Sequence, residues 1–168
     1  MSARAMGGIT LIELVIAMAI IGILAWVAYP RLESVHEIRL GTAVRRLAAD
    51  IRYAQGRSIG ERTVHGILFE PAAGRYTVFA PTAAMPVPDP ADRGRPLRVD
   101  FGRRDDAAGV TIAQASFGRT PGVTFDFLGV PRDTAGRELE APGRVVLRSQ
   151  GVAETVFVEP GTGRVTIR

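Results

Sequence analysis

Glu13 is the only carboxylate in the stretch from Gly7 to Pro30, which is otherwise almost entirely apolar. In a bilayer, a charged side chain near the end of a membrane helix costs about 1–3 kcal/mol. A segment that only had to be apolar would have no need for this residue. Glu13 is therefore the first candidate for a functional side chain, and its position calls for an explanation.

The two histidines, His36 and His65, are the residues that acid–base catalysis or zinc binding would use first. Neither has a serine-containing elbow or a cluster of ligand-spaced residues beside it, as a catalytic triad or a zinc site requires. The chain also has no cysteine, which excludes disulfides and thiolate metal sites. We therefore predict no catalytic residue, no metal site and no cofactor, and we expect a nonenzymatic protein.

Two pairs of acidic residues, Asp89 with Asp92 and Asp105 with Asp106, fall in predicted loops. Carboxylates of this kind could bind calcium. Calcium prefers six to eight oxygen ligands around a shaped turn, and no such loop pattern is present. We interpret both pairs as solvated loop charge.

The basic residues are all arginine, and the net charge is only +4. Arg164, Thr166 and Arg168 alternate along the predicted last strand, so they share one face and could form a weak row of phosphate contacts. Arg144 and Arg148 could join this row from an adjacent strand. From Arg31 onward the arginines are scattered among 16 acids. We favour a charged edge strand and predict that nucleic acid is not a partner.

The bulk composition indicates a folded chain with an apolar appendage. Its 168 residues suffice for one modest domain, and the apolar content of 46% excludes a disordered composition. The apolar excess lies between Ile9 and Tyr29, 21 residues that would span about 31 Å as a helix. The short basic leader MSARAMGG predicts a cytoplasmic N-terminus and an exported remainder. A cleaved secretory signal or a plain signal anchor are the alternatives.

The apolar helix is predicted to continue beyond the membrane. From Leu32 to Ile59 most apolar residues recur at spacings of three and four, which indicates an amphipathic helix. Gly56 and Gly60 are typical of a fraying helix end. Pro30 cannot donate its backbone hydrogen bond, so we expect it to bend the helix near the membrane interface.

After Gly60 the pattern changes to the period of two that β-strands show. The predicted strands are Val64–Phe69, Arg75–Phe79, Leu97–Phe101, Val110–Ala115, Val123–Phe127, Arg144–Arg148, Glu154–Val158 and Arg164–Ile167. The stretch Pro81–Pro96 holds five prolines and is predicted to be a long surface loop. The predicted fold is α+β: a long N-terminal helix, membranous in its first half, packed on an antiparallel β-sheet domain.

The sequence Gly8-Ile-Thr-Leu-Ile-Glu-Leu resembles the class III signal of type IV pilins and type II secretion pseudopilins. The resemblance implies that a prepilin peptidase cuts between Gly8 and Ile9 and methylates the new N-terminus at Ile9. Glu13 then becomes the fifth mature residue, which in this family neutralises the N-terminal ammonium of a neighbouring subunit during assembly. Pro30 matches the family's helix-kinking proline. Ile9 departs from the commoner phenylalanine, although another apolar residue should be tolerated there.

The remaining chain is similar, more loosely, to the GspH/FimT group of pseudopilins and minor pilins. The segments that carry this likeness are AVRRLAADIRYAQGRSIGERTVHGI, VTFDFLGVP and VFVEPGTGRVTIR. The resemblance implies a leader at 1–8, a transmembrane and polymerisation helix at 9–30, its amphipathic continuation at 31–60 and a β-rich periplasmic domain at 61–168. DNA-binding minor pilins of the FimT kind end in Gly-Arg-x-Arg. Here Thr166 replaces the second arginine, and Arg168 lies two residues later.

The function implied by the resemblance is that of a minor pseudopilin near the tip of a type II secretion pseudopilus, which assists export of folded proteins. Its implied partners are other pseudopilins, the prepilin peptidase and the inner-membrane secretion platform. It would be a single-pass inner-membrane protein with a periplasmic domain. The alternatives are a FimT-like minor pilin, in adhesion, motility or DNA uptake, and a signal-anchored periplasmic binding module that never polymerises.

Overall fold

A computed structural model describes residues 10–103 and 105–168, and it describes the side chains of these ranges except those of 27–35 and 105. The chain divides into two compact units, Met1–Val35 and His36–Arg168. One helix, α1, spans Leu11–Glu61 and contributes residues to both units. Its end lies one residue after Gly60, where the sequence predicts a stop. The bend expected at Pro30 falls among the undescribed side chains and stays a prediction.

In the second unit, α1 buries one stripe of side chains against the β-sheets. The buried residues follow the predicted spacing of three and four: Leu40, Ala43, Val44, Leu47, Ala48, Ile51 and Ala54. Ile38, which the sequence pattern assigns to the same stripe, is instead exposed. The small residues on the stripe allow the helix to pack closely on the strands, so α1 forms one wall of the core.

The β-strands form two antiparallel sheets. Their bounds are β1 His65–Glu70, β2 Arg75–Phe79, β3 Arg98–Asp100, β4 Thr111–Ser116, β5 Gly122–Phe125, β6 Pro131–Asp133, β7 Gly143–Ser149, β8 Val152–Val158 and β9 Val165–Ile167. The five-stranded sheet has the order β3-β2-β1-β5-β6, and the four-stranded sheet has the order β4-β7-β8-β9. All eight predicted strands occur; the bounds of β2 match the prediction, and the other seven strands have shifted ends. β6 was missed, because Gly129 and Pro131 read as turn signals.

Aromatic rings join the two sheets inside the core. Phe69 of β1 stacks on Phe117, just after β4, with 5.7 Å between ring centroids and 11° between ring planes. The buried Tyr76 of β2 packs on Phe69 and donates its hydroxyl to Asp50 of α1 at 2.6 Å. Burial, together with the Asp50 carboxylate, raises the pKa of Tyr76 well above its usual value. Tyr76 therefore stays neutral and ties β2 to α1.

The proline-rich segment 81–96 is predicted to be a surface loop, but part of it packs against β2. Most of it is exposed, but Val87 is only 7% exposed and hydrogen-bonds to the edge of β2 through its backbone N–H and the Val78 oxygen, at 3.0 Å. Leu97 in turn donates to the Val87 oxygen at 2.7 Å. The carboxylates of Asp89 and Asp92 accept backbone hydrogen bonds two residues ahead, so both residues act as turn formers.

Gln55 fastens α1 to two separate turns of the β-sheets. Its Nε2 donates to the Gly129 oxygen, between β5 and β6, and to the Thr162 oxygen, before β9, each at 2.9 Å. Nearby, Arg52 donates to the oxygen of Val165 at 3.1 Å. These contacts hold the two hairpin ends on one helix face. They join residues more than 70 positions apart, which sequence periodicity does not relate.

We expect Gln55→Glu to lower the free energy of unfolding by about 2–4 kcal/mol, because an acceptor replaces the donor that faces two carbonyl oxygens. Urea titration of the full chain in detergent, followed by near-ultraviolet circular dichroism, measures the change. Gln114→Glu is the matched control, since Gln114 is exposed on β4. Equal stability of the two variants would contradict the role given to Gln55.

Candidate assembly site

The start of α1 places Glu13 in the first helical turn. The Glu13 backbone N–H donates to Thr10 Oγ1 at 3.3 Å, and the Leu14 N–H donates to the Thr10 oxygen at 3.2 Å. Thr10 thus caps the helix, in the Thr-x-x-Glu spacing that is typical of helix starts. This signal is local and lies within the sequence Thr10-Leu-Ile-Glu13. The positive end of the helix dipole also favours a carboxylate at Glu13.

The helix surface around Glu13 and beyond it is apolar on every side. Its large apolar side chains are each at least 52% exposed: Leu11, Ile12, Leu14, Val15, Ile16, Met18, Ile20, Ile21, Ile23, Leu24 and Trp26. Successive helical residues are turned by about 100°, so these side chains cover the whole circumference. An all-apolar helix is stable only where other apolar groups surround it. We therefore expect other apolar groups to cover the helix surface of Leu11–Trp26.

Across residues 10–103 and 105–168, no helix has a stretch that is both long and apolar enough to cross a membrane. The span expected over Ile9–Tyr29 is not confirmed. The cleavage-site residues Gly8 and Ile9 lie outside the described residues, and the Pro30 side chain is among those not described. Their expected roles in cleavage, methylation and bending stay predictions.

His65 does not pair with the serine that lies next to it. His65 is buried, with Nδ1 2.9 Å from the Thr63 oxygen and Nε2 3.2 Å from a Glu61 carboxylate oxygen. Ser58 lies next to it, but the Ser58 hydroxyl donates to the Phe125 oxygen and accepts from the His65 backbone N–H. The serine therefore bonds main-chain groups instead of the imidazole. The described residues also contain no group of three or more possible metal ligands.

The C-terminal arginines lie at one edge of the four-stranded sheet. Arg168 exchanges two backbone hydrogen bonds with Thr155 of β8, at 2.7 and 2.9 Å. Its guanidinium carbon lies 5.9 Å from the ring centroid of Phe157, and Phe157 pairs across the strands with Arg144. Arg164 and Arg168 flank the same outward face of β9. The aromatic ring between two arginines was missed, because the sequence does not show which strands are neighbours.

We expect negligible DNA affinity at physiological salt for residues 31–168, even though an aromatic ring accompanies the arginines. Two to four phosphate contacts give weak binding that salt screens readily. Gel-shift titration at low and at moderate salt measures it. Micromolar binding that survives moderate salt, and that Arg164→Ala with Arg168→Ala abolishes, would contradict this prediction.

Asp133, at the end of β6, is a buried carboxylate that accepts several hydrogen bonds. It is 2% exposed and accepts from the backbone N–H groups of Ala135 and Arg137, both at 2.9 Å, and from Arg137 Nε at 2.8 Å. Burial acts to raise the pKa of Asp133. The hydrogen bonds from Arg137 and Ala135 outweigh burial and hold this pKa below its usual value. The carboxylate thus stays ionised and fixes the turn 133–137.

We expect Asp133→Asn to lower the free energy of unfolding at pH 7 by about 2–3 kcal/mol, since charge-assisted hydrogen bonds are lost. Because the folded-state pKa lies below the unfolded one, this stabilisation is present above the unfolded pKa of about 3.9 and is lost as pH falls through the folded pKa. In urea titrations, the difference in free energy of unfolding between wild type and variant should therefore be smaller at pH 3 than at pH 7. The role given to Asp133 would be refuted if the difference in free energy of unfolding were the same at both pH values. It would also be refuted if the exposed control Asp92→Asn lost as much stability.

The chain is similar to known proteins in its N-terminal sequence and in its fold. Residues 4–29 match the family model of the prokaryotic N-terminal methylation motif. The fold is similar to the minor pseudopilin EpsH from the Type 2 Secretion System of Vibrio cholerae, with a TM-score of 0.56 and 11% identity, over 77% of this chain and 96% of that one. It is also similar to the type IV minor pilin FimU of Pseudomonas aeruginosa PAO1, with a TM-score of 0.51 and 15% identity, over 77% and 87%. No curated protein sequence matches the chain.

Proposed function

Since the chain carries the N-terminal methylation motif of type IV pilins and has a pilin-like α+β fold, we propose that it is a minor pseudopilin of a type II secretion system. It acts as a nonenzymatic filament subunit near the pseudopilus tip and assists export of folded proteins across the outer membrane. The observation that carries this proposal is the uncovered apolar helix Leu11–Trp26 with a single carboxylate, Glu13, in its first turn.

Processing would create the assembly site. A prepilin peptidase cuts between Gly8 and Ile9, and the new N-terminus is methylated at Ile9. Before assembly the apolar helix lies in the inner membrane, with the globular unit in the periplasm. On assembly the helix moves among the helices of other pseudopilins on the inner-membrane platform. The Glu13 carboxylate then pairs with the ammonium of a neighbouring subunit, where low polarity makes an unpaired charge costly.

A FimT-like minor pilin of a type IV pilus is the second candidate. The similarity to FimU supports it, and so does the row formed by Arg144, Phe157 and Arg168. We rank secretion first, and the similarity to EpsH supports it. A periplasmic binding module that is anchored but never polymerises is the third candidate, and the carboxylate of Glu13 within the apolar helix weighs against it.

Deletion of the gene, with complementation, tests the proposal. We expect exported proteins to accumulate in the periplasm while surface pili and twitching motility are retained. Lost pili with normal secretion would favour the type IV pilus. If neither changes, and the chain extracts from membranes without other pilin-like subunits, it is an anchored module.

A further inference from the structure

A cleft of about 640 Å³ opens on the outward face of the four-stranded sheet. Its floor is formed by Arg144 of β7 and Phe157 of β8, which are direct cross-strand partners, and by Ser116 of β4, which pairs with Arg144 on the other side. Its walls are the turn that contains Arg119 and the segment from Asp133 to Pro142. None of the residues assigned to assembly contributes to this cleft.

Both walls are fixed by contacts within the chain. The buried Asp133 carboxylate holds the turn 133–137, and Arg132 pairs with Glu138 at 3.2 Å just beyond it. The opposite turn meets this wall at Gly118, where a side-chain carbon would lie 3.6 Å from the Asp133 carboxylate. Gly118 has a φ of +62°, which glycine adopts without strain. The cleft is therefore preformed.

Some of the charged side chains that line the cleft form ion pairs within the chain, and others do not. Arg137 is paired with Asp133, and Glu138 is paired with Arg132. Within the described residues, no carboxylate lies within ion-pair distance of Arg119 or Arg144. Two guanidinium groups thus remain available, and planar guanidinium groups bind carboxylates through two parallel hydrogen bonds.

We propose that this cleft binds an acidic segment of a partner polypeptide. Carboxylate side chains of the segment pair with Arg119 and Arg144, and its apolar groups lie on Phe157 and Pro142. The volume of the cleft is large enough for several residues of an extended peptide. Glu138 and Glu140 on the rim repel any anion, so the cleft suits a segment with isolated carboxylates at Arg119 and Arg144 better than the continuous row of phosphates of a nucleic acid. The proposal does not depend on filament assembly.

Fluorescence anisotropy of a labelled peptide on the full-length chain in detergent tests the proposal. The probe is an acetylated and amidated peptide of alternating glutamate and leucine, and its glutamine counterpart is the control ligand. We expect saturable binding of the glutamate peptide at 20 mM salt, and at least tenfold weaker binding at 150 mM salt. The glutamine peptide should bind at least tenfold more weakly at the lower salt.

Two double variants with the same loss of charge localise the binding. Arg119→Gln with Arg144→Gln should weaken it at least tenfold. Arg93→Gln with Arg103→Gln should leave it unchanged, because neither residue lines the cleft. Circular dichroism verifies that both variants are folded. The proposal is overturned by unsaturated binding up to about 1 mM, by equal affinity in the two variants, or by tighter binding of a single-stranded oligonucleotide than of the glutamate peptide.

Discussion

Glu13→Ala is expected to leave the chain in the membrane and to exclude it from filaments. Removing the carboxylate makes the apolar segment more favourable in lipid, so insertion is retained or improved. In the filament, a neighbour's ammonium would lose its partner in an apolar core. Loss of one partner of a buried ion pair costs about 3–5 kcal/mol, which lowers incorporation by a factor on the order of 100 or more.

Glu13→Ala should leave the start of α1 intact, so a loss of incorporation can be assigned to the missing carboxylate. Thr10 Oγ1 accepts from the backbone N–H of residue 13, not from its side chain, so alanine keeps the cap. Cross-linking in cells, followed by quantification of the chain in sheared filaments, measures incorporation. Glu37→Ala, an exposed carboxylate further along α1, is the matched control. Wild-type levels of cross-linking and secretion in Glu13→Ala would show that the pairing role is wrong.

Gly8→Val is expected to block maturation almost completely, because a β-branched side chain replaces a hydrogen atom at the scissile bond. The variant should keep its eight-residue leader, migrate more slowly on gels and remain outside filaments. Gly22→Val is the matched control, since a side chain at Gly22 meets nothing within 4 Å. Normal cleavage of Gly8→Val, or equal retention of the leader in both variants, would contradict the assigned site.

Local periodicity predicted most of the fold, since it reports how one strand or helix faces the core. It located the helix stripe from Leu40 to Ala54 and eight of the nine described strands. It extended β5 to Phe127, whereas β5 ends at Phe125, because the Asp126 carboxylate accepts the N–H groups of Leu128 and Val130 and turns the chain. β6 was missed because it begins at Pro131, two residues after Gly129, and both residues are turn signals.

The same distinction applies to the candidate sites. Local patterns predict one of them, whereas the other depends on which strands pair. Glu13 stands out because one charge interrupts an apolar run. The helix cap at Thr10 is also a local pattern that the sequence shows. The cleft combines Ser116, Arg144 and Phe157, which become neighbours only through strand register. Register depends on which strands pair, and alternation within each strand does not determine it. For the same reason the sequence did not predict the contact of Arg168 with Phe157.

The intact mass of the wild-type chain extracted from membranes tests the central claim most directly. Processing by a prepilin peptidase predicts the mass of residues 9–168 plus one methyl group, with N-methylated Ile9 as the first residue. N-terminal fragment ions place the methyl group on that nitrogen. A chain that still begins at Met1, or one that is cut beyond Tyr29, would contradict the assignment to a pilin-like assembly system.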